Sequence, residues 1–280
     1  MSEAFEIITS RQNKYVSLAC SLDSRKGRDK ARLFRVDGIK LFCEAVRHGV
    51  DISFVIVSEP SSEEIWSSAR RLYGIEREDI SCRVLYVTRE LFEKISSERA
   101  PEGIMCVCEY AEDIHRDVVP DESGVAEDEN ILLLESVRDP SNIGAIIRSA
   151  AAFGVDRIIM SSDCADIYNP KALRSSMGTV FGLKIDRVLA IDCAIDYLRS
   201  CGREVYAATL GEYSVRLGES EIPPSACVLI GNEGHGLSEQ SVSRCTGSIY
   251  IPMREGVESL NASVAASVLM WEFFGKEEDV

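Results

Sequence analysis

Two short apolar runs near the C-terminus, Cys227-Val228-Leu229-Ile230 and Ser248-Ile249-Tyr250-Ile251-Pro252, each stop at a polar loop that carries glycine. A run this short, rich in β-branched residues and closed by a turn, is how a strand covered on both faces reads, and such strands belong to parallel sheets flanked by helices. The first loop, Gly231-Asn232-Glu233-Gly234-His235-Gly236, holds three glycines in six positions, which lets the backbone turn tightly and present its amides. The second, Met253 to Asn261, feeds Ala262 to Phe274, an apolar stretch that reads as a buried helix. Ligands bind outside the carboxyl ends of strands in open α/β sheets, so two such loops predict a binding site. The order G-x-x-G-x-G is not the dinucleotide fingerprint G-x-G-x-x-G, and no G-K-S/T follows, which argues against a Rossmann oxidoreductase and a P-loop enzyme.

The chain of 280 residues, 45% of them hydrophobic, is long enough for one large domain or two ordinary ones. Its first residues show no apolar signal-peptide core, and no apolar run is long enough to span a bilayer. The ten cysteines include no C-x-x-C pair and there are only three histidines, so no metal site is expected. The cysteines read as reduced, mostly buried thiols of a cytoplasmic protein. The net charge of −15 opposes nucleic-acid binding overall, but its distribution does not. From Arg11 to Arg35 eight basic residues face two aspartates, and Arg25, Lys26, Arg28, Lys30 and Arg32 form the dense part of that arm. It reads either as a solvated helix face or as a surface that tracks phosphates.

Residues 1–110 alternate helical and strand patterns and predict a small α/β domain. Ser10 or Asn13 caps a first helix through Leu22; Gly38 to His48 follows as an amphipathic helix with Ile39, Phe42, Cys43 and Val46 on one face; strands are predicted at 54–57, 83–87 and 103–108. Residues 109–130 carry nine carboxylates against one arginine, with Pro120 and Gly124, so 111–130 is expected to be a linker. Residues 131–280 form a second α/β domain, with strands at 131–134, 157–160, 204–209, 228 and 249 and helices at 142–153, 170–177, 193–200 and 262–274.

Three segments, taken in order, resemble the motifs of the SpoU/TrmH family of RNA 2′-O-ribose methyltransferases, a branch of the trefoil-knotted SPOUT superfamily. They are Leu134 to Ala150 (LESVRDPSNIGAIIRSA), GNEGHGLS at 231–238, and IPM at 251–253 with SLNASVAAS at 259–267. The N-terminal stretch SRQNKYVSLACSLDSRKGRDKARLFRVDGIKLFCEA, with Ala100-Pro101-Glu102-Gly103-Ile104, is similar to the L30e-like substrate-binding domain that many of these proteins carry, although Lys14 stands where proline is common and Asp37 where glutamate is usual.

The resemblance implies a knotted α/β (SPOUT) catalytic domain behind a smaller L30e-like α/β domain, S-adenosyl-L-methionine as cofactor, no metal, and a homodimer. It implies 2′-O-methylation of a ribose in RNA, with ribosomal RNA favoured over transfer RNA because such accessory domains accompany many rRNA enzymes. A non-catalytic RNA-binding homologue is the alternative. Asn142, Arg148, Ser259 and Asn261 match the catalytic positions. Thr209, Leu210, Gly231, Ile251, Met253 and Leu260 match the cofactor loops. Lys171 and Arg174, in KALRSSMG, match a segment near the RNA entrance, though the same residues read equally as an ordinary helix start. Arg148 is a poor proton acceptor, because a guanidinium stays charged up to about pH 12; gripping the target phosphate and ribose suits it better. Asn142 and Arg148 lie six residues apart and share no helical face, so they converge only if Asn142 belongs to the turn before the helix. Glu233 reads equally as a partner of Arg148 or a cap of the next helix, and His235 as an exposed loop residue rather than a base.

Overall fold

The structure, a computed structural model, describes residues 6–110, 116–117, 124–126, 128–211, 214–219, 222–232, 234–257 and 259–275. The chain separates into two compact units, Met1–Ala111 with Tyr168–Phe181, and Glu112–Ile167 with Gly182–Val280.

The first unit runs β1 (Ile7–Ile8), α1 (Lys14–Ser21), α2 (Arg25–Ala31), β2 (Leu33–Asp37), α3 (Ile39–Arg47), β3 (Ile52–Ser58), α4 (Ser62–Tyr73), β4 (Arg83–Val87), α5 (Arg89–Ile95) and β5 (Ile104–Glu109). Its five-stranded sheet has the order β1-β4-β3-β5-β2; β1, β4 and β3 are parallel and β5 is antiparallel to both neighbours. Asn13 caps α1 by accepting the Tyr15 amide, as expected of a short polar side chain before a helix. The core joins Val16, Ala19 and Leu22 to Phe54, Ile56, Met105 and Val107 of the sheet and to Leu91, Phe92 and Ile95. In α3 the buried residues are Leu41, Phe42, Cys43 and Ala45, so the covered face is turned from the expected one and Ile39 and Val46 are only half-buried.

The second unit begins with β6 (Arg116–Asp117), β7 (Ile131–Leu134), α6 (Pro140–Ala152) and β8 (Arg157–Ser161). The chain then passes through α7 (Pro170–Ser176), which belongs to the first unit, and returns with β9 (Lys184–Val188), α8 (Ile191–Ser200), β10 (Val205–Ala208), β11 (Val215–Arg216), β12 (Cys227–Ile230), α9 (Glu239–Arg244), β13 (Gly247–Tyr250) and α10 (Ala262–Phe274). The eight strands pair in parallel throughout, in the order β11-β13-β10-β12-β7-β8-β9-β6. From β7 the chain steps outward through β8 to β9, then crosses to the other side of β7 for β10, β12 and β13. That reversal is where an open parallel sheet leaves a crevice at its carboxyl edge. Strands β7, β8 and β12 are buried along their whole length, as continuous apolar runs require.

Most of the expected linker lies outside the described residues. Within it, β6 adds a short edge strand beside β9, and Glu129 is buried. The Glu129 carboxylate accepts from Arg157 Nε (2.8 Å) and from Lys184 Nζ (2.6 Å), and Arg157 also pairs with buried Asp186. Burial pushes the Glu129 carboxyl up, but the bonds from Arg157 and Lys184 outweigh it and leave it lowered.

The expectation of a wholly buried C-terminal helix needs correcting. In α10, Ala262, Ala266, Leu269 and Met270 are buried, while Val264, Val268 and Trp271 form an exposed apolar stripe at i, i+4 and i+7. An all-round apolar sequence cannot say which of its faces the parent sheet covers.

All ten cysteines are free thiols; Cys43, Cys106, Cys108, Cys164 and Cys227 are buried, and Cys193 and Cys201 are exposed. Among the described residues no helix is long and apolar enough to cross a membrane, and no group of three or more His, Cys, Asp or Glu could hold a metal ion.

Candidate active site

The carboxyl ends of β10, β12 and β13 open onto a cleft of about 670 Å³. Such a volume is in the range of small-molecule sites. Thr209, Leu210, Gly231, Ile251, Met253 and Leu260, the six positions expected to meet the cofactor, all line it, and so does Ser259. The walls are backbone and aliphatic side chain, with Arg254 and Glu255 the charged residues among them. Asn232, Gly236, Arg254, Glu255 and Val257 line it too; the sequence marks their loops, but a loop does not reveal which of its residues face inward.

The glycine loop is built on close approach. Asn232 and Gly236 exchange backbone hydrogen bonds (3.2 and 2.9 Å), and the Asn232 side-chain oxygen accepts the amides of Gly234 (2.7 Å) and His235 (3.3 Å). A Cβ on Gly231 would stand 2.6 Å from the Gly236 carbonyl carbon and oxygen. Gly236 itself has a positive φ of 67°, which glycine adopts without cost. His235 is exposed, and Glu233 lies outside the described residues.

Asn142 and Asn261 meet. Asn261 Nδ2 donates to Asn142 Oδ1 (3.1 Å), and Asn261 Oδ1 caps α10 by accepting the Ser263 amide (3.0 Å) and hydroxyl (2.6 Å). Pro140 occupies the first turn of α6 and Asp139 is its N-cap, accepting from the amides of Ser141 (2.7 Å) and Asn142 (3.0 Å). Asn142 therefore sits inside the first helical turn, not before it, and is directed toward Asn261. Helices α6 and α10 are held again lower down, where the Ser149 and Ser267 hydroxyls are 2.8 Å apart. Arg148, between these two contacts, is exposed; it does not line the cleft, and no hydrogen bond or ion pair ties it to another described residue. Its guanidinium is free to meet a ligand.

The basic arm divides. Arg25, Lys26, Lys30 and Arg32 are exposed, Arg25 within 3.6 Å of Asp29 and Arg32 over the Tyr110 ring. Arg28 is 1% exposed and donates to the carbonyls of Leu22 (2.8 Å) and Asp23 (3.0 Å), a role inside the fold that leaves it little surface for phosphate. Lys171 is exposed at the start of α7, while Arg174 is half-buried and paired with Glu98 (2.6 Å) and Ser97 (3.2 Å).

Comparison with known proteins accords with this geometry. The sequence model of the SpoU rRNA Methylase family matches residues 129–271, and that of the MRM3-like substrate binding domain matches residues 13–106. The chain is 31% identical to a 23S rRNA (uridine 2′-O)-methyltransferase of Streptomyces viridochromogenes, over 95% of this chain and 90% of that protein. It is 28% identical to a 23S rRNA (guanosine 2′-O)-methyltransferase of Bacillus subtilis, over 96% and 99% of the two chains. Among solved structures, an AdoMet-bound rRNA methyltransferase from Sinorhizobium meliloti superposes with a TM-score of 0.79 at 27% identity, covering 96% of this chain and 97% of the other.

Proposed function

This chain belongs to the SpoU rRNA methylase family, and on that footing we propose that its cleft holds S-adenosyl-L-methionine for 2′-O-methylation of a ribose in ribosomal RNA. The observation that carries the reading is the convergence of all six expected cofactor positions on one cleft at the carboxyl edge of a parallel sheet. The residues fit the group: a glycine loop closed on its own backbone and aliphatic walls suit an adenosine, and Arg254 with Glu255 would supply opposite charges suited to an amino-acid moiety. Bound there, the cofactor would supply an electrophilic methyl on a sulfonium.

The protein's own contribution is placement. Arg148 grips the target phosphate and ribose, the role its permanent charge and planar fork suit. Asn142, oriented by Asn261, and Ser259, on the cleft wall, hold the ribose hydroxyl in line, where ordering alone is worth several kcal/mol of barrier, up to about 7–11 kcal/mol for ideal alignment. Tritiated methyl transfer to undermethylated ribosomal RNA and to transfer RNA tests the reading: label is expected in the ribosomal RNA, and label in transfer RNA alone would overturn the substrate assignment.

RNA capture is assigned to Arg25, Lys26, Lys30, Arg32 and Lys171. Changing the first four to glutamine is expected to weaken binding for all RNA sequences and to shrink the salt slope by roughly 0.7–0.9 per lost contact, with cofactor affinity unchanged. A titration at three salt concentrations checks this; an unaltered slope would place RNA capture elsewhere.

The assembly proposed is a homodimer in the cytoplasm, with each catalytic domain knotted as in its superfamily. The exposed stripe Val264, Val268 and Trp271, with Trp271 53% exposed, is an apolar helix face of the kind a second copy covers. Trp271→Glu is expected to turn a dimer into a monomer in sedimentation equilibrium; a wild-type monomer would contradict the assembly.

A further inference from the structure

Asp163 lies two residues beyond β8, outside the three motif segments and the cleft loops. Its carboxylate accepts three hydrogen bonds, from Ser161 Oγ to Oδ1 (2.7 Å), from Ser136 Oγ to Oδ2 (2.7 Å) and from the Arg138 guanidinium to Oδ2 (3.0 Å). Ser161 Oγ in turn accepts the Ser136 amide (2.9 Å). Ser136 has φ 56°, in the left-handed region, which a serine keeps only where its surroundings hold it. Here it is held from both ends: its amide and hydroxyl by the Ser161–Asp163 pair, its carbonyl by Asn232 Nδ2 (2.8 Å). Asn232 lines the cleft and organises the amides of Gly234 and His235. One carboxylate thus bridges, through one left-handed serine, the loop that leads into α6 and the loop that follows β12.

We propose that Asp163 is a positioning residue for methyl transfer: it fixes Ser136 and, through the Ser136 carbonyl and Asn232, sets the shape of the glycine loop that walls the cofactor cleft. The inference rests on the reading of that cleft as the S-adenosyl-L-methionine site. Partial burial pushes the Asp163 carboxyl up, but the bonds from Ser161, Ser136 and Arg138 and the Arg138 charge outweigh it and bring it down to about 2. The clamp is therefore ionised, and a pure acceptor, at any pH where methyl transfer is measured.

The test uses the full-length protein, with S-adenosyl-L-methionine affinity by calorimetry and single-turnover methyl transfer to ribosomal RNA at saturating cofactor. Asp163→Ala is expected to weaken cofactor binding and slow the turnover step, each about tenfold, the size of effect a small misplacement of a site produces. Asp163→Asn keeps one carbonyl acceptor and is expected to recover part of both losses. Because Asp163 acts through Asn232, the double variant Asp163→Ala with Asn232→Ala should bind cofactor little worse than Asn232→Ala alone. A purely structural role would lower Tm yet leave the affinity and rate of the folded protein at wild-type values, and that result, or effects that multiply in the double variant, overturns the proposal. A wild-type protein that binds no S-adenosyl-L-methionine overturns the function reading and this inference with it; wild-type binding beside an unaltered Asp163→Ala overturns the inference alone.

Discussion

Arg148→Ala is expected to slow single-turnover methyl transfer by about 10²–10³-fold, the cost of removing one charged donor from a reacting centre. The fold and the affinity for S-adenosyl-L-methionine should be retained. The guanidinium is exposed, makes no hydrogen bond or ion pair with another described residue and does not line the cleft, so its loss removes neither packing nor a cofactor contact. Arg148→Lys should recover little, because a point charge does not replace a planar fork that meets phosphate through two parallel bonds. Rapid-quench kinetics with saturating cofactor and RNA checks both variants: wild-type-like turnover of Arg148→Ala would remove Arg148 from the site, and wild-type-like turnover of Arg148→Lys would show that charge suffices without the fork.

Gly231→Val is expected to abolish cofactor binding. The cause is steric: a Cβ at this position meets the Gly236 backbone at 2.6 Å and the Leu237 nitrogen at 2.8 Å, atoms that cannot swing aside as a side-chain end would. Relief requires breaking the Asn232–Gly236 backbone pair (3.2 and 2.9 Å), which opens the loop that forms the cleft wall. Gly231 has no positive φ, so backbone strain plays no part. Gly236→Ala acts by the other mechanism: open space surrounds it, but its φ of 67° disfavours a side chain, and it should weaken binding far less. Calorimetry separates the two, and an unchanged dissociation constant for Gly231→Val would place the pocket elsewhere.

Much of the candidate site is legible in the sequence. Strand runs that end in glycine loops mark carboxyl edges, and the resemblance to the SpoU/TrmH motifs is what names Thr209, Gly231, Ile251 and Leu260 within those loops. What stayed hidden follows one rule: pattern gives the element, not the direction of a particular side chain. Arg28 reads like its neighbours Arg25 and Lys26 until α2 turns it onto the Leu22 and Asp23 carbonyls. Helix α6 starts at Pro140, two residues before the expected start at Asn142, because Asp139 before Pro140 is an N-cap before a first-turn proline; Asn142 is thus the third residue of the helix and not its first. The membership of Tyr168–Phe181 in the first unit has no sequence signal, since it rests on long-range packing. Asp163 carried no motif; only the left-handed Ser136 beside it draws attention, and φ is not written in a serine.

The function proposed for this cleft is delivery of a methyl group to a ribose oxygen. Nucleoside digestion of ribosomal RNA methylated by the protein, with mass-spectrometric identification of the product, tests it most directly. A single 2′-O-methylated nucleoside is expected, formed by the wild type and lost with Arg148→Ala. A methyl group on a base, or no transfer to RNA by a protein that binds S-adenosyl-L-methionine, would contradict it.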